Sequence, residues 1–83
     1  MTMTDSENGR AFSYGEKAVG LGFNPSGDEL VHAIKTTMAS AIDEMFALRL
    51  RSESVEVKRL ASIAITELQG AQMWMVKAAT WKD

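Results

Sequence analysis

Phe23-Asn24-Pro25-Ser26-Gly27 stands directly ahead of a helix start. In that position free backbone N–H groups and the positive end of the helix dipole can hold an anion. Phe23 offers a ring for a nucleobase to stack on, and Asn24 an amide that can read a base edge or a ribose. The same five residues also make an ordinary capped helix start with a packed aromatic, the commoner use of such a pattern. A second polar set lies further along. Thr66, Gln69 and Lys77 recur at spacings of three and eight and share roughly one flank of a helix that also carries Lys58, Arg59 and Ser62. Alone, such a flank is a solvated face. Repeated around a symmetry axis, it presents hydroxyl, amide and ammonium groups to one ligand. Tyr14 is either a further stacking ring or, more commonly for such a residue, a packed arm aromatic.

The residue types exclude several chemistries. The chain has no cysteine, so neither disulfides nor thiolate metal sites are available. One histidine, His32, cannot build a metal cluster, and it has no evident cysteine or serine to activate. Glu16 and Glu29 do not form a convincing carboxylate pair, and no phosphate-cradling glycine loop or metal-ligand spacing is present. No catalytic residue, metal or cofactor is therefore expected. A net charge of −2 lacks the basic footprint that polymeric nucleic acid requires. Residues 51–83 are the more basic part, with Arg51, Lys58, Arg59, Lys77 and Lys82, so an anion site is expected to draw on this half. No stretch resembles a signal peptide or spans a bilayer, and the expected compartment is cytosolic.

The elements that must position these residues are helical. Residues 1–9 are polar and aperiodic, and are expected to form a flexible tail. The domain is expected over residues 10–83. Residues 10–27 mix Phe12, Tyr14, Val19, Leu21 and Phe23 with four glycines, which predicts an ordered arm or short helix. Ser26 followed three residues later by Glu29 has the capping-box form. Helix one is expected at about 27–49, with Val31, Ile34, Met38, Ala41, Met45 and Leu48 on one face, widened by Leu30, Ile42 and Phe46. Ser52 is the expected cap of helix two, at about 53–81. Its best seam is Val57, Leu60, Ala64, Leu68, Ala71, Met75 and Ala78, but Ile63, Ile65, Met73, Trp74, Val76 and Trp81 fall outside it. A helix apolar on more than one side is buried on more than one side. A two-helix hairpin cannot supply that burial, and 83 residues give only a small core. The expectation is an all-α antiparallel hairpin that assembles as a symmetric homo-oligomer.

Residues 59–81, Arg-Leu-Ala-Ser-Ile-Ala-Ile-Thr-Glu-Leu-Gln-Gly-Ala-Gln-Met-Trp-Met-Val-Lys-Ala-Ala-Thr-Trp, resemble the second helix of the hairpin domain shared by phage anti-CBASS and anti-Thoeris proteins. Phe23 to Lys35, with its Asn-Pro-Ser-Gly turn, is similar to that domain's entry into its first helix. The resemblance covers roughly residues 15–82, and its most specific piece is Thr66-Glu67-Leu68-Gln69 followed by Met73 and Lys77. It implies a sponge, not an enzyme: a protein that sequesters the cyclic signal of a bacterial defence system in the host cell cytoplasm. Members form hexamers, holding cyclic dinucleotides or gcADPR between paired subunits and cyclic trinucleotides where three subunits meet. Carried onto this chain, the first pocket falls at Phe23, Asn24, Pro25, Ser26 and Gly27. The second draws on Arg59 and Thr66, then on Gln69 and Lys77. The rival reading is a structural or protein-interaction helical oligomer with no nucleotide ligand.

Overall fold

The computed structural model describes residues 11–83, so the tail expected at 1–9 lies outside the described residues. Three helices follow in order: α1 (Tyr14–Ala18), α2 (Glu29–Arg51) and α3 (Val55–Thr80). Among the described residues there is no strand. α2 and α3 form the hairpin and α1 lies against α2. The molecule is 13 Å through its thinnest dimension, about the diameter of one helix, so the hairpin is a single layer.

The arm is a short helix closed at both ends. Ser13 caps α1: its hydroxyl accepts from the Glu16 amide at 3.1 Å, while the Ser13 amide donates to Glu16 Oε1 at 2.9 Å. At the other end Leu21 N donates to Glu16 O and Gly20 N to Lys17 O, which needs the left-handed backbone that Gly20 supplies at φ 66°. Gly15 lets α1 sit on α2. A Cβ there would overlap the Ala39 carbonyl, and the Gly15 amide donates to Asp43 Oδ1 at 2.6 Å.

Both long helices start later than the pattern predicts. Ser26 does not cap α2; it lies inside a β-turn in which Gly27 N donates to Asn24 O at 2.9 Å. Asparagine, proline and glycine at the first, second and fourth positions suit that turn. Gly27, at φ 65°, redirects the chain so that Asp28 becomes the cap, its Oδ1 accepting from Leu30 N at 2.8 Å and Val31 N at 3.1 Å. A carboxylate accepting two amides at the positive helix end outcompetes a hydroxyl two residues upstream. At the hairpin corner Ser52 ends α2 and its hydroxyl accepts from Ser54 N, while Ser54 caps α3 by accepting from Val57 N. The two helices thus run 29–51 and 55–80, against about 27–49 and 53–81 expected. Lys58 Nζ donates to Arg49 O at 2.7 Å, occupying one carbonyl left over at the end of α2.

The core gathers Val19, Met38, Ala39, Ile42 and Ile65, with Ala18, Leu21, Ile34, Met45, Phe46 and Leu68 packed around it. The seam of α3 is turned by about one residue from the expected one: Ala61, Ile65 and Gln72 are buried, whereas Leu60 is half exposed. A helix apolar on several sides offers competing seams. The one used is the seam that also meets α1, where Gln69 Nε2 donates to Ala18 O at 3.4 Å.

Candidate ligand-binding surfaces

Phe23 is 73% exposed, on a turn that is rigidly built. Its own amide donates to Gly20 O at 2.9 Å, and its carbonyl accepts from Lys35 Nζ. Lys35 is 6% exposed, and its ammonium also donates to Gly20 O at 3.0 Å. The same nitrogen stands 5.6 Å from the centre of the Phe23 ring. Burial pushes the Lys35 ammonium below its ordinary pKa. Asn24 braces the other side of the turn, donating from Nδ2 to Asp28 O at 2.8 Å and accepting at Oδ1 from Asp28 N at 3.2 Å.

These residues line a concavity of about 140 Å³ between the turn and the far end of α3, bounded by Phe23, Asn24, Pro25, Ser26, Val31, Lys35, Val76 and Thr80. Four of the five turn residues singled out in the sequence therefore meet in one place. Gly27 shapes the turn without lining the hollow. Lys35 was missed, although a signal existed. It lies four residues after Val31 and three before Met38, a lone cation on the apolar face of α2. Val76 and Thr80 could not be placed there without the register of the hairpin.

A second, shallower concavity of about 570 Å³ lies along α3 and is lined by Arg59, Ser62, Ile63, Thr66 and Glu67. Arg59 is held by Glu56 through Nε to Oε1 at 3.0 Å and Nη2 to Oε2 at 2.5 Å. That pair raises the arginine's pKa and lowers the glutamate's. Thr66 Oγ1 donates to Ser62 O at 3.3 Å. The other two candidates on this helix lie elsewhere. Gln69 is turned toward α1, and Lys77 sits with Nζ 5.5 Å from the Trp74 ring centre and 5.9 Å from that of Trp81. Within one chain, then, Arg59 and Thr66 share a surface, while Gln69 and Lys77 do not join them.

Tyr14 packs. Its ring stacks on Phe46 at 4.2 Å between centroids and 6° between planes, with the Arg49 guanidinium 5.8 and 5.5 Å from the two ring centres. His32 is exposed. Among the described residues no group of three or more metal-ligating side chains comes together, and no helix is long and apolar enough to cross a membrane.

The arrangement offers ligand recognition by stacking, hydrogen bonding and cationic groups, on two surfaces that each lie open to a neighbouring molecule. No curated protein and no solved structure gives a significant match to this chain. A family model does, and it is described as Acb2/Tad1, hairpin domain. It matches residues 16–80, from within α1 to the last residue of α3, so it takes in the hairpin and both concavities. The chain belongs to this hairpin-domain family, that of the anti-CBASS and anti-Thoeris sponges.

Proposed function

We propose that this protein is a phage anti-defence sponge. It binds cyclic oligonucleotide immune signals in the host cell cytoplasm, withholds them from their effector and leaves them intact. The observation that carries this reading is Phe23: a large aromatic face kept in solvent by a turn whose carbonyls are clamped by a buried lysine. An aromatic held this way loses little freedom on binding, and stacking on a base contributes ~1–3 kcal/mol. Asn24, Pro25 and Ser26 form the wall beside it, on a turn that Gly27 shapes, and cyclic dinucleotides or gcADPR are the ligands of that pocket. The Arg59–Thr66 surface takes cyclic trinucleotides, with Gln69 and Lys77 contributed at a junction of subunits.

The working form is a symmetric homo-oligomer, a hexamer by analogy with the family. Leu60, Ile63, Met73, Trp74, Met75 and Trp81 are all exposed on the single-layer hairpin, which supports that assembly. The same exposed set favours the second reading, a helical oligomer whose assembly is its whole function. A thermal-shift screen separates the two, using cyclic di- and trinucleotides and gcADPR with linear nucleotides as controls. A ligand that binds only the assembled protein raises its melting temperature. The sponge reading expects a rise for one cyclic class, with that ligand recovered unchanged after heating. No rise for any of them leaves the structural oligomer. A new product in the recovered material overturns both and makes the protein an enzyme.

A further inference from the structure

We infer that Ser62 donates a hydrogen bond to a ligand phosphodiester oxygen on the α3 concavity, and that Arg49 is the residue that positions it. The inference rests on the reading of that concavity as a ligand site.

Ser62 lies on the wall between Arg59 and Thr66, one helical turn from each. Its hydroxyl oxygen accepts from Arg49 Nη1 at 3.0 Å, a bond that crosses from α2 to α3. A serine hydroxyl has one proton to give and lone pairs to receive. With a lone pair taken by the guanidinium and no acceptor for it among the described residues, the proton is left to be given toward the open surface. The neighbouring Thr66 is set the opposite way. Its own proton goes to Ser62 O at 3.3 Å, which leaves its oxygen lone pairs to the surface. The wall therefore presents a donor at Ser62 beside an acceptor at Thr66, with the Glu67 carboxylate as a further acceptor.

Charge decides what the donor meets. Arg59 is already engaged by Glu56 on its own helix. Arg49 is not engaged in that way: among the described residues it forms no ion pair. Its guanidinium lies against the Tyr14–Phe46 stack, at 5.8 and 5.5 Å from the two ring centres. The guanidinium is nearly equidistant from the two ring centres of the stacked pair, so it packs beside the stack, which limits the positions it can take. The positive charge behind the Ser62 oxygen strengthens its proton as a donor and favours an anionic acceptor, which a phosphodiester supplies. Base amino groups or ribose hydroxyls then fit the acceptors at Thr66 and Glu67.

The test compares the wild-type protein with Ser62→Ala, Ser62→Thr, Arg49→Gln and the Arg49→Gln/Ser62→Ala double variant. Calorimetry and amide NMR titrations follow two probes, cyclic triadenylate and inorganic pyrophosphate. Ser62→Ala is expected to weaken binding roughly tenfold with the fold unchanged, since it removes one charge-assisted bond. Ser62→Thr keeps most of the affinity. Arg49→Gln weakens binding in the wild-type background and adds nothing in the Ser62→Ala background, a coupling that a merely structural arginine would not show. Pyrophosphate binding that depends on Ser62, without any binding of cyclic triadenylate, upholds the donor and removes the trinucleotide reading. Equal affinity of wild type and Ser62→Ala for both probes overturns the inference, as does a wild-type protein that binds neither. An Arg49→Gln loss that persists undiminished without Ser62 overturns the positioning role.

Discussion

Lys35 carries an ammonium into the apolar face of α2, and among the described residues it meets no carboxylate there, its hydrogen bonds going to the carbonyls of Gly20 and Phe23. A neutral amine keeps two protons, enough for both bonds. Deprotonation therefore removes the desolvation cost without opening the clamp. The sign follows. The folded pKa is lowered, so above it the unfolded chain binds more protons, and stability rises with pH up to the ordinary lysine value of 10.5. Chemical unfolding across that alkaline window should show this rise in the wild type and lose it in Lys35→Met; identical slopes would sink the argument. Phe23→Ala, by contrast, removes a mostly exposed ring and leaves the backbone bonds of the turn in place. Its melting temperature should stay near that of the wild type while cyclic dinucleotide or gcADPR binding disappears. Retained binding removes Phe23 from the site. Both residues belong to one device, in which a buried cation fixes the backbone of an exposed aromatic.

At the scale of elements, the arm and the turn are held by a few specific bonds. Gly15 is the point where α1 touches the α2 backbone, and Gly15→Ala forces a methyl against the Ala39 carbonyl and Asp43. Overpacking of this kind costs about 1–3 kcal/mol. The expected outcome is a lower unfolding midpoint together with faster amide exchange at Tyr14–Ala18, where undocking concentrates. The caps make a sharper comparison. Asp28→Ala should destabilise by about 1 kcal/mol, because two amides lose their acceptor. Ser26→Ala should change stability very little, since that hydroxyl caps nothing. Had the capping box read in the sequence been the true one, the two results would be reversed. The distinction reaches the site: with Asp28 as the cap, Asn24 to Gly27 are released from helix formation and become the turn that lines the Phe23 hollow.

At the scale of the molecule, the single layer leaves α3 with apolar side chains exposed on faces that the other described residues do not cover. Trp74 is 70% exposed and Trp81 65%, with Lys77 between them. Aromatics of this size are typical anchors of subunit contacts. Sedimentation should show an assembly larger than one chain, with a melting temperature that rises with protein concentration. Replacing Met73 and Trp74 by glutamate should lower the assembly state and weaken ligand binding together. A protein that stays monomeric at every concentration removes the proposed oligomer, and with it the proposed pocket between three subunits.

The residues alone were enough for the helical class and the hairpin, for a physical reason, while the family was carried by the resemblance of residues 59–81 and 23–35. Periods of three and four and the polar break at Ser52–Ser54 are local properties of the chain. The turn at Phe23–Gly27 was legible for the same reason, being built from its own sequence. Three features were not. The choice of Asp28 over Ser26 as cap depends on a backbone reversal at Gly27, which becomes visible only in the path of the chain. The seam of α3 was misplaced because several faces are apolar, and α1 and α2 select among them. The division of the α3 candidates, with Arg59 and Thr66 together and Gln69 and Lys77 apart, depends on where α1 ends and which rings lie near Lys77. The bonds of Lys35 to Gly20 and Phe23, and of Arg49 to Ser62, join residues 12 to 15 positions apart in the chain. Tertiary structure alone decides such contacts, because only packing brings residues so far apart within a hydrogen bond of each other.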